Sequence, residues 1–134
     1  MSWQEYSKNI QRNKKIEENW YIVGIDLGTT NTVISYWNPR KNSPEPVDIS
    51  HGFGKIPMPS VVQRRYEQGN EEWIIGEEAF QSMKLYPDST IRSVKRLMGT
   101  GKSVKLGKET FQPEEISAKI IQTALKHLME QDPR

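Results

Sequence analysis

Cysteine is absent from the 134 residues. That excludes a disulfide framework and any thiolate metal centre. Histidine is scarce, with two copies, and His51 has no second histidine, cysteine or carboxylate at metal-ligand spacing, so it reads as an ordinary loop residue. Apolar residues make up only 34% of the chain, and no run approaches the roughly 20 residues of a membrane-spanning helix. An excess of charge of one sign is missing too. Nineteen basic against 17 acidic residues leave a net charge of +2, too weak to argue for nucleic acid or an anionic membrane as partner. The opening residues have no apolar signal-peptide core, and no internal repeat is visible. These absences leave the expectation of one small soluble, cytoplasmic domain with a high ratio of surface to core, or of a piece of something larger.

What is present centres on VGIDLGTTNTV, Val23 to Val33. The apolar run from Tyr21 to Ile25 carries Asp26 to its end. Leu27 to Asn31 turns the chain, and Thr32 to Trp37 leads away with β-branched and aromatic composition, so the whole reads as a hairpin. The turn is richer than a hairpin needs. Bunched backbone N–H groups at such a turn make an anion-binding concavity. Gly28 is expected to supply positive φ and close ligand approach. Thr29 and Thr30 offer hydroxyls to phosphate oxygens, and Asp26 suits a hydrated Mg²⁺, which takes a carboxylate or two plus phosphate.

The rest of the chain is ordered around that turn. Residues 1–19 form a polar arm carrying Trp3, Tyr6 and Ile10, with a basic cluster at 12–15 that reads as a solvated face. A proline-marked loop over 38–44 precedes a third strand expected at Pro46–Ser50. Strands are expected over Val61–Arg64 and Trp73–Ile75, with a turn at Gly69-Asn70 between them. The pattern then switches from period two to helical spacing near Gly76. A helix is expected over Glu77–Tyr86 with Ala79, Phe80 and Met83 inward, and a second with Asp88-Ser89-Thr90 as cap and Ile91, Val94, Leu97 and Met98 as stripe. Gly101-Lys102-Ser103 is no Walker loop, because it lacks the upstream glycine, the preceding strand and the following helix. Val104–Phe111 reads as a β excursion around Gly107. Pro113 opens a long helix in the favoured first-turn position. Its apolar stripe is Ile116, Ile120, Ile121, Ala124, Leu125 and Leu128, bordered by His127.

GIDLGTTNT, at 24–32, resembles the first phosphate loop of the actin-like ATPase superfamily, which holds actin, sugar kinases and the DnaK-type heat-shock chaperones. PSVV at 59–62, IGEEA at 75–79, SVKRLMG at 93–99 and FQPEEISAKII at 111–121 resemble the chaperone pattern in order and spacing. The resemblance covers roughly 21–130. It implies an α/β fold, mixed α+β in this stretch: part of the actin-like, ribonuclease-H-like ATPase core, with a smaller subdomain inserted. On this reading residues 20–52 are first strands of the core subdomain, 53–110 the inserted subdomain, and 111–134 a helix returning to the core. The implied ligands are ATP or ADP with Mg²⁺. Asp26 would orient metal-bound waters, and Gly28, Thr29, Thr30 and Asn31 would cradle the β- and γ-phosphates. Lys95 would reach the γ-phosphate and offset charge in the transition state.

The arm before Tyr21 is longer than is usual in that family. The chain also stops where the family would begin its next core strand, before the second phosphate loop and the adenosine-binding segment. The resemblance therefore implies an N-terminal piece of a chaperone ATPase domain, inactive alone. Its parent would couple ATP hydrolysis to folding of unfolded peptides, with a co-chaperone and a nucleotide-exchange factor. Two other readings stand beside it: the start of a sugar- or acetate-kinase-like phosphotransferase, and a stand-alone interaction module without ATP turnover. In the family's fold the first strand is internal, so its open edge here is expected to promote self-association or to be covered by the arm.

Overall fold

Alternating side chains and tight turns build the first half of the molecule. In the computed structural model, which describes residues 22–50, 54 and 56–131, β1 (Val23–Leu27), β2 (Asn31–Asn38) and β3 (Ser43–Val47) form an antiparallel meander. Ile34 of β2 lies opposite Ile25 of β1 and Val47 of β3. A short β4 (Met58–Pro59) pairs with the start of β2, at Asn31 and Thr32. Strands β3 and β4 thus share one edge of β2, and β1 takes the other. The polar arm, Tyr21 and His51 lie outside the described residues.

The third strand sits earlier than expected, at Ser43–Val47, and contains Pro44 and Pro46. An outer strand tolerates this. The two-residue spacing puts both missing N–H groups on the edge away from β2.

A second sheet has the order β6-β5-β7, all antiparallel: β5 (Val61–Glu67), β6 (Asn70–Ile75) and β7 (Thr90–Arg92). The β5–β6 turn falls one residue before its expected place. Gln68 and Gly69 occupy its apex with φ of 50° and 80°, and positive φ at both central residues matches strand twist. A helix α1 (Glu77–Ser82) follows, then a hairpin of β8 (Val104–Leu106) and β9 (Glu109–Phe111) around Gly107, and α2 (Pro113–Gln131) closes the chain. Gln112 caps α2: its backbone N–H donates to Glu115 Oε2 at 2.8 Å, one half of a capping box.

Two expected elements differ. The first helix ends at Ser82 rather than Tyr86, and Phe80 is 44% exposed while Ala79 is fully buried. The second helix is replaced by a 3₁₀ turn at Pro87–Ser89, strand β7, and a 3₁₀ turn at Val94–Leu97. Thr90 and Ile91 are β-branched and pair with Gln63 and Val62, which wins over local helix propensity. The three-residue spacing of Ile91, Val94 and Leu97 suits a 3₁₀ turn as well as an α-helix.

One core joins these elements. Ile34, Ile49, Met58, Val62, Val94, Leu106 and the α2 face Ile116, Ile120 and Ala124 are all buried in one cluster. Leu125 and Leu128 of the expected stripe pack against it, half-buried. His127 fastens α2 from the side, with Nδ1 2.7 Å from the Ile49 carbonyl. Arg64 ties the second sheet to the β8–β9 hairpin. It pairs with Glu71, lies 3.6 Å from Glu109, and stacks 4.5 Å from the Trp73 ring centroid. Among the described residues no helix is long and apolar enough to cross a membrane.

Candidate functional site

Strand β1 brings Asp26 to the surface, exposed, while its neighbour Leu27 turns inward against the core. Successive side chains of a strand point to opposite faces, which separates the two. Leu27 pairs with Thr32, and beyond that pair the Gly28 N–H donates to the Asn31 carbonyl at 2.9 Å. Thr29 and Thr30 are left at the apex. Neither has positive φ, and neither does Gly28. The expectation that Gly28 supplies a left-handed conformation is therefore corrected. Glycine is needed because a Cβ there would overlap the Asn31 carbonyl oxygen. The close approach that matters lies within the turn itself.

The turn is held from beneath by Ser60, which lies in the PSVV motif at 59–62 but is not among the expected site residues. Its hydroxyl donates to the Gly28 carbonyl at 2.9 Å and its backbone N–H to the Thr30 carbonyl at 2.8 Å. Pro59, preceding it, is part of β4, so the β2–β4 pairing delivers Ser60 to this place.

Thr30 and Asn31 open into a cleft of about 670 Å³, within the size range of small-molecule sites. Its far wall comes from elements distant in sequence: Phe80 and Glu77 of α1, Arg92 at the end of β7, and Ser93 and Arg96 around the 3₁₀ turn. Neither guanidinium has an ion pair among the described residues. Ser93 holds a left-handed backbone, φ 59°, an unusual conformation for a residue with a side chain, and it sets the direction in which the 3₁₀ turn departs. Lys95 lies on that turn, exposed, between Val94 in the core and Arg96 on the cleft wall. It stands on a 3₁₀ turn rather than on the expected α-helix, and it does not line the cleft. Asp26, Gly28 and Thr29 do not line the cleft either. The structure therefore joins Thr30 and Asn31 with Arg92 and Arg96, which the sequence reading left aside. Arg92 and Phe80 could be recognised only from pairing and helix length.

Among the described residues there is no group of three or more potential metal ligands. A magnesium ion bound chiefly through phosphate oxygens and water needs no such cage.

A family profile described as Hsp70 protein matches residues 22–132. The chain is 47% identical over 109 residues to the chaperone protein DnaK of Mycoplasmopsis pulmonis, covering 81% of this chain and 16% of that protein. It is 43% identical over 100 residues to that of Mesomycoplasma hyopneumoniae strain J (75% and 15%). Against that of Thermosipho melanesiensis it is 39% identical over 106 residues (79% and 17%). The chain thus spans about a sixth of the length of these curated relatives. The phosphotransferase and interaction-module readings gain no support from these matches. Helices and antiparallel sheets in one chain fit part of an actin-like ATPase fold, and with the profile covering every described residue, the chain belongs to the Hsp70 family and is of the DnaK type.

Proposed function

We propose that this chain supplies one wall of an ATP site, in a protein that couples ATP hydrolysis to the folding of other proteins. The observation that carries the reading is the Gly28–Asn31 turn, closed on itself and opening beside two guanidiniums that have no ion pair among the described residues. Backbone N–H groups and the Thr29 and Thr30 hydroxyls suit β- and γ-phosphate oxygens. Arg92 and Arg96 add positive charge on the facing wall. Asp26, an exposed carboxylate two residues before the turn's first N–H, fits Mg²⁺ held through water. That ion, when bound, would neutralise phosphate charge. Lys95, on a short turn anchored by buried Val94, is assigned the approach to the γ-phosphate and the electrostatic role in transfer.

The same reading divides the chain into core strands at 20–52, an inserted subdomain at 53–110 and a returning helix at 111–134. It gives the whole protein unfolded peptides, a co-chaperone and a nucleotide-exchange factor as partners, and a cytoplasmic place of action. These 134 residues alone are proposed not to turn over ATP, because one phosphate turn and one lysine supply part of the needed charge stabilisation. Few contacts remain to offset the entropy of binding, so affinity near the millimolar range is expected. Titration of the ¹⁵N-labelled chain with Mg-ATP tests this. Saturable shifts at Gly28 to Asn31, reduced in Thr29→Ala/Thr30→Ala, are expected. No response of those amides at several millimolar Mg-ATP would remove the phosphate assignment, and steady turnover lost in Lys95→Ala would remove the claim of inactivity.

A further inference from the structure

The hydroxyl of Ser60 is part of a buried relay. Thr32 Oγ1 lies 2.9 Å from Ser60 Oγ, and Ser60 Oγ lies 2.9 Å from the Gly28 carbonyl oxygen. A serine hydroxyl has one proton to give, and the carbonyl, which has none, takes it. Thr32 is therefore the donor to Ser60. The order is Thr32 O–H to Ser60 O–H to Gly28 C=O, with Thr32 at 0% and Ser60 at 2% exposure. Away from water each bond polarises the next.

The consequence for the turn follows from peptide planarity. In a trans peptide the carbonyl of one residue and the N–H of the next point in opposite directions, and no described peptide is cis. Ser60 holds the Gly28 carbonyl with its hydroxyl and the Thr30 carbonyl with its N–H. Both carbonyls are thereby drawn to one side, and the N–H groups of Thr29 and Asn31 are aimed to the other. Thr29 N–H meets no acceptor among the described residues. An unclamped turn of this length could rotate either peptide and present a carbonyl, which repels an anion, in place of an N–H.

We propose that Ser60, supported by Thr32, is a positioning residue that pre-aims the Thr29 and Asn31 N–H groups for phosphate oxygens. It touches no ligand itself. The proposal rests on the phosphate reading of the turn and adds to it a device that excludes the inverted peptides before any ligand arrives.

The test uses the ¹⁵N-labelled chain as wild type, Ser60→Ala, the near-isosteric Thr32→Val, and Ser117→Ala. Ser117 is a buried hydroxyl on α2 at 3% exposure and serves as a control for general destabilisation. Ser60→Ala is expected to move the Thr29 and Asn31 amide resonances without ligand. It should also speed hydrogen exchange of the Gly28 N–H by about tenfold and weaken the Mg-ATP response by a similar factor. Thr32→Val should show the same signature at smaller amplitude, and Ser117→Ala should leave the turn unchanged. Wild-type turn resonances and Gly28 exchange in Ser60→Ala would overturn the proposal. If Ser60→Ala does not fold, unchanged turn resonances in Thr32→Val would do so. If the wild type itself ignores Mg-ATP, the phosphate reading fails, and the clamp is still judged by Gly28 exchange and the unliganded resonances.

Discussion

Replacing Gly28 by alanine isolates the demand that the turn places on its glycine. The backbone at Gly28 is not left-handed, so alanine carries no φ penalty there. The cost is steric. The new methyl would overlap the Asn31 carbonyl oxygen, the acceptor of the 2.9 Å bond from the Gly28 N–H. Backbone is on both sides of the clash, so no side chain can yield. Opening the turn loses a hydrogen bond, about 1 kcal/mol, and displaces packed backbone at about 1–3 kcal/mol. Reduced freedom of the unfolded chain returns about 0.4–1 kcal/mol. The net expectation is a loss of about 2 kcal/mol. For a domain of this size that lowers Tm by about 7 °C. Gly24 in the same strand provides the contrast, because a Cβ there meets nothing within 4 Å. Gly24→Ala should be neutral or slightly stabilising, and both variants are compared by urea and thermal unfolding. Equal stability of the two would refute the steric account of the turn.

Other parts of the molecule give further expected outcomes. The β2–β3 hairpin should report pH through Glu45, which accepts from Tyr36 at 2.6 Å and pairs with Lys41 at 2.7 Å. Those partners, Lys41 first, hold its carboxyl down from 4.5 to about 2. Its contribution is present above pH 4.5 and lost as pH falls through about 2. Tyr36 and Lys41 are raised, both chiefly by hydrogen bonding to Glu45, so theirs hold below pH 10 and fade as pH rises beyond it. Hairpin amide exchange in wild type and Glu45→Gln should converge in acid, and an unchanged difference at pH 2 would contradict this. Ile120→Ala, at a fully buried position on α2, should cost about 2–5 kcal/mol in urea unfolding. Met129→Ala, at 65% exposure, should stay within about 0.5 kcal/mol. Strand β1 pairs with β2 and with no other described strand, and Ile25 on it is 39% exposed. The isolated chain is expected to self-associate in sedimentation velocity, and Ile25→Lys to reduce this. A concentration-independent monomer with rapid amide exchange along β1 would count against it.

Features whose cause is local were legible in the order of residues alone. Asp26 lies near the end of a strand, and the glycine and paired threonines occupy the turn after it, because an apolar run precedes them and a β-branched run follows. Gly107 makes its hairpin, and Pro113 with Glu115 starts α2. The Ile116, Ile120, Ala124 face is buried as its spacing requires. Features that depend on a partner far along the chain were set by packing and strand pairing. Residues 88–98 carry a three-residue apolar spacing that two geometries satisfy. Pairing of Thr90 to Arg92 with β5 chose strand and 3₁₀ turn over helix. The same pairing put Arg92 and Arg96, rather than Lys95, on the cleft wall. Gly28 is glycine because of a carbonyl three residues on, which only the closed turn brings near. Ser60 meets that turn across 32 residues of chain, because one hydroxyl and one N–H there satisfy two carbonyls that the hairpin alone leaves open.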